Sequence, residues 1–132
     1  MPKICYILRG VSGSGKTECA LALSGGNGAV ICSADDHFID PITGEYHSNW
    51  RRAHEACLSK FKDLVEVSAP MIIVCNTNTR EREFRAYQQI AEQAGYKVFC
   101  LIVENRHGGA NVHDVPKETL EKQIKRFAIK LA

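Results

Sequence analysis

Eight residues near the N-terminus decide the fold: Gly10-Val11-Ser12-Gly13-Ser14-Gly15-Lys16-Thr17. The stretch matches the pattern G-x-x-x-x-G-K-S/T of a phosphate-binding loop at every fixed position. Its glycines let the backbone approach a polyphosphate closely, so that successive N–H groups can point at the anion. The lysine supplies a positive charge for the β- and γ-phosphates, and the threonine hydroxyl supplies a ligand for Mg²⁺. The stretch therefore predicts a nucleoside triphosphate site.

The residues on either side of this loop have the composition that such a site needs. Residues 3–9 form an apolar, β-prone run, and residues 17–24 have a helical pattern that the glycine-rich stretch 24–28 ends. A strand then leads into the loop, and a helix leaves it with its positive end towards the anion. We expect the nucleotide to contact Gly10, Ser12, Gly13, Ser14, Gly15, Lys16 and Thr17.

The rest of the chain alternates between apolar runs and amphipathic stretches. Apolar runs predict strands at 29–33, 71–75 and 97–103, and helical spacing predicts helices at about 48–67, at 80–94 with Thr79 as N-cap, and from Pro116 to the C-terminus. This alternation predicts an α/β P-loop NTPase or kinase fold of three layers. Its short, mostly parallel sheet has about four to five strands flanked by helices, in a single domain 1–132.

Composition narrows the class of protein further. A chain of 132 residues with a net charge of +2 is long enough for one domain, and its charge neither requires nor excludes a nucleic acid partner. It has no apolar run of the ~20 residues that cross a bilayer, so we expect no membrane partner. Its six cysteines contain no C-x-x-C pair, which predicts reduced thiols in a cytoplasmic protein.

Polar residues follow two of the predicted strands. Asp35 and Asp36 come after the second strand, and Asn76-Thr77-Asn78 follows the third. Ligands of open α/β sheets bind outside the carboxyl ends of the strands, so these residues should lie near the loop. Asp35 is the candidate base that takes a proton from an acceptor hydroxyl, and it could also assist in binding Mg²⁺. The alternative is a pair of aspartates that caps a turn.

Four segments together carry a resemblance to a known family: the loop 10–17, the stretch Ser33-Ala34-Asp35-Asp36-His37-Phe38, the stretch 76–78, and Val115-Pro116 before the last helix. Their order and spacing resemble P-loop kinases of the polynucleotide 5′-hydroxyl kinase type. The resemblance implies that Asp35 activates the acceptor hydroxyl, and that Lys16 and Thr17 bind phosphate and Mg²⁺. It also implies that Arg106, in the segment matching the lid, neutralises charge on the transferred phosphoryl group; the alternative is a solvated loop arginine.

The site differs from the family pattern at two positions, one that concerns the acceptor and one that concerns the binding of Mg²⁺. Phe38 replaces an arginine that binds the acceptor's phosphate, and Cys75 replaces an aspartate that ends the third strand in small relatives. Arg51 and Arg52 could take over from the missing arginine, or they could belong to a solvated helix face. The candidate acceptor-binding residues are Asp36, His37, Arg51, Arg52, Asn76 and Asn78.

Two classes of function follow from these residues. The first is a Mg²⁺-dependent kinase that transfers the γ-phosphate of ATP or GTP to a hydroxyl, with the 5′-hydroxyl of a polynucleotide as the favoured acceptor. A nucleoside, a sugar or another small alcohol is the alternative acceptor, since the fold does not fix it. The second class is a nucleotide-binding module without catalysis, which Phe38 and Cys75 favour. A GTPase switch is disfavoured because the chain has no Asn-Lys-x-Asp motif.

Overall fold

A computed structural model describes residues 2–25, 28–34, 50–106, 116–129 and 131. In chain order its elements are β1 (Ile4–Arg9), α1 (Lys16–Ser24), β2 (Val30–Cys32), α2 (Trp50–Glu66), β3 (Met71–Cys75), α3 (Glu81–Gln93), β4 (Lys97–Ile102) and α4 (Lys117–Arg126). Within these ranges, none of the helices combines the length and the apolar character that crossing a bilayer requires.

The four strands form one parallel sheet in the order β2-β3-β1-β4. Parallel neighbours cannot be joined by a tight turn, so each connection has to cross over the sheet, and helices make these crossovers. The central strands β1 and β3 are buried on both faces, which explains why they read as continuous apolar runs. The predicted α/β fold with a short parallel sheet is confirmed.

The core is divided between the two faces of the sheet. On one face, α2 and α3 cover Cys5 and Ile7 of β1, and Phe61 meets the ring of Tyr87 edge-on at 5.0 Å. On the other face, α1 packs on Leu8 of β1 and on two residues of β3. Successive residues of β1 point to opposite faces of the sheet, so each layer takes alternate side chains. Helices therefore cover both faces, as the three-layer prediction requires.

Four of the six cysteines are buried, and all six are free thiols. Burial is the largest cause that raises the pKa of the Cys5 thiol to about 12, with Cys100 and Cys32 adding smaller effects. A thiol with such a pKa stays protonated and is a poor nucleophile, so Cys5 acts as a small apolar core residue. The predicted cytoplasmic location stays a prediction.

The start of α3 differs from the sequence prediction. Its N-cap is Arg80, in extended conformation, and not Thr79. The carboxylate of Glu83 reaches back and accepts the N–H of Thr79 at 2.6 Å and its hydroxyl at 2.9 Å. This contact satisfies the N–H and the hydroxyl of Thr79, which is fully buried and lies two residues before the first residue of α3.

The last helix also ends earlier than predicted. Helix α4 stops at Arg126, and Phe127 is already extended. The helix ends here because Ala128, the residue after Phe127, donates its backbone N–H to the carbonyl of Thr79 at 2.6 Å. A tertiary hydrogen bond thus replaces the helical one that would have continued α4.

Candidate nucleotide-binding site

The predicted phosphate-binding loop joins the carboxyl end of β1 to the start of α1. Gly10 donates its N–H to the carbonyl of Thr77 at 3.0 Å, which ties the loop to the segment that follows the neighbouring strand β3. Gly13 and Gly15 have φ values of 80° and 98°, a left-handed conformation that favours glycine, and Gly15 is the N-cap of α1. The first N–H groups of a helix have no partner within it, so they are available to an anion at this end.

Gly10 is required for a second reason, which is lack of space. A Cβ atom at this position would lie 2.4 Å from the Ser14 hydroxyl oxygen and 2.7 Å from the carbonyl oxygen of Val103. Both distances are shorter than any normal contact, and Val103 contributes backbone that cannot rotate away. The loop therefore passes the end of β4 as closely as a glycine allows.

Two residues from the first turn of α1 supply the charge and the hydroxyl of the site. Lys16 directs its ammonium group back over the loop and donates a hydrogen bond to the carbonyl of Val11 at 3.0 Å. Thr17 is exposed beside it. The glycine cradle, the helix end and the lysine fit a triphosphate, and the Thr17 hydroxyl fits a magnesium ion bound to it. Among the described residues, no group of three or more His, Cys, Asp or Glu side chains could hold a metal ion.

The two asparagines after β3 lie inside the scaffold next to the loop. Asn76 accepts the N–H of Ala34 at 2.7 Å, and Asn78 donates its side-chain amide to the carbonyl of Leu8 at 3.0 Å. Both are almost fully buried. These amides fasten the ends of β2 and β1 to the segment that follows β3. Their contact with a substrate stays a prediction.

The arginines predicted for the acceptor and the lid lie at the surface. Arg51 and Arg52 are exposed in the first turn of α2. Arg106 is also exposed and pairs with the carboxylate of Glu104 at 2.9 Å. Such an exposed ion pair contributes little stability, so Arg106 can change partners at small cost. The catalytic role of Arg106 stays a prediction.

Asp35, Asp36 and His37 lie outside the described residues. The structure does fix the point from which they leave the sheet. Cys32 of β2 is level with Val74 of β3, which is level with Ile7 of β1, three residues before the loop. The chain after β2 therefore starts at the same edge of the sheet as the phosphate-binding loop.

Arg9, the residue directly before the loop, supports the site although it is not part of the sequence pattern of the loop. Its side chain is buried, and the guanidinium lies between the rings of Phe84 and Phe127, at 4.4 and 4.9 Å from their centroids. Burial is the main reason why the pKa of Arg9 is lowered, and Cys100, Glu83 and Glu81 oppose that shift. A charged residue at the end of an apolar strand was the signal available in the sequence.

The hydrogen bonds of Arg9 join three separate parts of the chain. Its guanidinium donates to the carbonyls of Asn78 at 2.8 Å, of Thr79 at 3.2 Å, and of Ala128. One side chain thus links the end of β1 to the start of α3 and to the segment after α4. These contacts hold in place the residues that surround the phosphate-binding loop.

Replacing Arg9 by methionine is expected to lower the free energy of unfolding by about 2 to 4 kcal/mol, because three partly or fully buried carbonyls each lose one hydrogen bond, although the Thr79 carbonyl keeps the N–H of Ala128. Urea denaturation of both proteins measures the difference. Arg85→Met is the matched control, since Arg85 is exposed and pairs weakly with Glu81, and it should change stability by less than about 1 kcal/mol. Equal effects of the two substitutions would show that Arg9 does not fasten these segments.

Comparison with known proteins gives a family match over most of the chain. A family model described as an AAA domain (AAA_33) matches residues 6–129. Human NEDD4-binding protein 2 is 29% identical over 135 residues, which cover 94% of this chain and 8% of that protein. Mouse YLP motif-containing protein 1 is 26% identical over 156 residues, covering 96% of this chain and 11% of that protein. The chain thus spans about a tenth of the length of these curated relatives.

Solved structures of kinases share the fold. A sugar kinase from Janibacter sp. HTCC2649 has a TM-score of 0.63 and 20% identity, with 98% of this chain and 80% of that chain covered. A chain of the Pnkp1/Rnl/Hen1 complex has a TM-score of 0.57 and 20% identity, with 99% of this chain and 40% of that chain covered. An APS kinase from Mycobacterium tuberculosis, in complex with AMPPNP and APS, has a TM-score of 0.51 and 16% identity, with 93% of this chain and 69% of that chain covered. At these identities the likeness establishes the fold, which is that of P-loop kinases.

Proposed function

The chain belongs to the family of AAA domains whose model it matches over residues 6–129, and from this premise we propose that it is a kinase that phosphorylates a hydroxyl group. The observation that carries the proposal is the intact phosphate-binding loop at the carboxyl edge of the sheet. There Gly10 admits no side chain, and Lys16 lies over the loop from the first turn of α1. ATP or GTP is the proposed phosphate donor.

The donor is held by the loop and by the first turn of α1. The N–H groups of Ser12 and Ser14 are bonded within the protein, to the side chain of Gln123 and to the carbonyl of Val11. Other N–H groups of the loop bind the phosphate oxygens, and Lys16 spreads its charge over the β- and γ-phosphates. Thr17 would hold a magnesium ion; a role for Asp35 as a second ligand is the alternative to its role as the base. Such an ion supplies, when bound, positive charge that stabilises the phosphate oxygens.

The transfer step needs one base and several positive groups. Asp35 accepts the proton of the acceptor hydroxyl, whose oxygen forms a bond to the γ-phosphorus while the bond from that phosphorus to the β–γ bridging oxygen breaks. The products are the phosphorylated acceptor and the nucleoside diphosphate. Lys16 stabilises the charge on the transferred group, and Arg106 adds to this once it exchanges Glu104 for the phosphate.

The proposed acceptor is the 5′-hydroxyl of a polynucleotide. Three observations support it: the sequence resembles polynucleotide 5′-hydroxyl kinases, the fold resembles a chain of the Pnkp1/Rnl/Hen1 complex, and Arg51 and Arg52 are exposed at the start of α2. Exposed arginines suit a phosphodiester backbone. A small alcohol is the second candidate acceptor. Phe38, which lies outside the described residues, favours it, because the family that the sequence resembles has at this position an arginine that binds the acceptor's phosphate.

Incubation with Mg²⁺ and γ-labelled ATP or GTP tests the proposed activity. Oligonucleotides with a 5′-hydroxyl, in DNA and RNA versions, serve as acceptors, and the same oligonucleotides with a 5′-phosphate serve as controls. We expect label only on the 5′-hydroxyl oligonucleotides. Label on sugars or nucleosides alone would replace the proposed acceptor by a small alcohol. Nucleotide binding without label on any acceptor would favour the non-catalytic module.

A further inference from the structure

Helix α4 contacts the phosphate-binding loop through a buried amide, that of Gln123. Gln123 is 1% exposed, and its side chain makes two hydrogen bonds to one loop residue, Ser12. The Gln123 Oε1 atom accepts the backbone N–H of Ser12 at 2.8 Å, and Nε2 donates to the Ser12 hydroxyl oxygen at 3.1 Å. The two residues are 111 positions apart in the chain. A buried amide with both of its groups satisfied by one residue holds that residue in a defined orientation.

The backbone bond of this pair also determines where the preceding carbonyl points. The N–H of Ser12 and the carbonyl of Val11 belong to the same peptide unit, which is planar and directs the two groups to opposite sides. On its other side the Val11 oxygen accepts the Lys16 ammonium at 3.0 Å and the N–H of Ser14 at 3.1 Å. One rigid peptide unit therefore connects Gln123 of α4 to the charged group of the site.

We propose that Gln123 is a positioning residue for Lys16. By fixing the peptide unit between Val11 and Ser12, it holds the lysine ammonium where the β- and γ-phosphates bind. It thereby sets the preference of the site for nucleoside triphosphates over monophosphates. The inference rests on the proposed binding of a nucleotide at this loop, and it assigns to α4 a role in that binding.

Helix α4 is anchored firmly enough to act as a support. Beyond Gln123, the end of the helix is fixed to the buried Thr79: Arg126 donates to its hydroxyl oxygen at 2.9 Å, and Ala128 donates its N–H to its carbonyl at 2.6 Å. Arg9 donates to the carbonyl of Ala128 from the end of β1. Because this end of α4 is tied to the sheet, Gln123 does not simply move with the loop. A support of this kind preorganises the site before the ligand arrives.

The proposal predicts an effect that depends on the number of phosphates. Lys16 reaches the β- and γ-phosphates, whereas backbone N–H groups of the loop contact the α-phosphate. Loss of the Gln123 contact lets the peptide unit rotate and displaces the lysine. The affinity for ATP should then fall. The affinity for AMP should stay nearly the same, because it depends on backbone N–H groups that remain in place when the contact of Gln123 is lost.

The variant Gln123→Met tests this, because methionine has a similar length and cannot bond to Ser12. In the full chain with Mg²⁺, calorimetry gives the Kd for ATP, and displacement of a fluorescent ATP analogue gives the Kd for AMP. We expect the Kd for ATP to rise about tenfold and the Kd for AMP to change by less than about twofold. Gln89→Met is the matched control, the same substitution at an exposed position of α3, and both Kd values should remain those of the wild type.

An unchanged ratio of the two affinities in Gln123→Met overturns the proposal, whether both affinities are retained or both are lost, since a merely structural role would affect the two ligands alike. If the methionine variant does not fold, Gln123→Asn replaces it. Asparagine keeps a buried amide but is one methylene too short to reach Ser12, so the same selective loss is expected and an equal loss overturns the proposal. Wild-type protein that binds no ATP would instead overturn the proposed function, and this inference with it.

Discussion

Replacing Lys16 by alanine is expected to reduce γ-phosphoryl transfer at least about a hundredfold, a typical result of removing one group that stabilises developing charge. The lysine ammonium donates a hydrogen bond to the carbonyl of Val11 in the loop, so its removal takes away the positive charge next to the proposed phosphate site. Initial rates with γ-labelled ATP, and with the acceptor that the wild-type protein phosphorylates, measure the loss. The Kd for ATP should rise at the same time, because the lysine contacts the ground state as well as the transition state.

Lys60→Ala is the matched control for this substitution. Lys60 is also half-buried and donates its ammonium to a backbone carbonyl, that of Ile31 at 3.1 Å, but it belongs to α2. Its loss should leave the Kd for ATP within about twofold of the wild type. Transfer that survives in Lys16→Ala at half the wild-type rate would show that this loop does not bind the reacting phosphates.

Replacing Asp35 by asparagine should lower transfer about a hundredfold or more and leave the Kd for ATP nearly unchanged, because a general base acts in the transition state and contributes typical factors of about 10² to 10⁴. The amide has almost the same shape as the carboxylate but cannot take the acceptor's proton. Rate measurements at saturating ATP, together with calorimetry of ATP binding, separate the two quantities.

The same substitution at two further aspartates shows whether the effect belongs to Asp35 alone. Asp63→Asn changes an exposed carboxylate of α2 and should affect neither rate nor affinity. Asp36→Asn changes the neighbour of Asp35. A large loss in Asp36→Asn with full activity in Asp35→Asn would transfer the role of base to Asp36. A loss of both transfer and ATP binding in Asp35→Asn would contradict its role as a base alone and would assign it to the binding of the metal and the nucleotide.

Much of the fold could be predicted from the sequence because its signals are local. The strand at 71–75 has the predicted bounds. Each strand is predicted from a run of apolar residues and each helix from the spacing of its residues, and their observed order is the predicted one. Errors lie at helix ends, where α3 begins after Arg80 and α4 stops at Arg126. At both ends Thr79 is the reason, since it bonds to the side chain of Glu83 and to the backbone of Ala128. The bond to Ala128 joins segments that only the folded chain brings together, whereas the bond to Glu83 is local and spans four residues.

The candidate site divides in the same way. By itself the sequence determined the phosphate-binding loop, because the glycines, Lys16 and Thr17 are neighbours in the chain and their spacing alone matches the pattern. Tertiary structure alone decided which side chains support the loop. Arg9 joins three segments by hydrogen bonds, and Gln123 bonds to Ser12 from the last helix of the chain. A polar side chain takes its partner from whatever groups share its buried surroundings, and those surroundings exist only once the helices pack on the sheet.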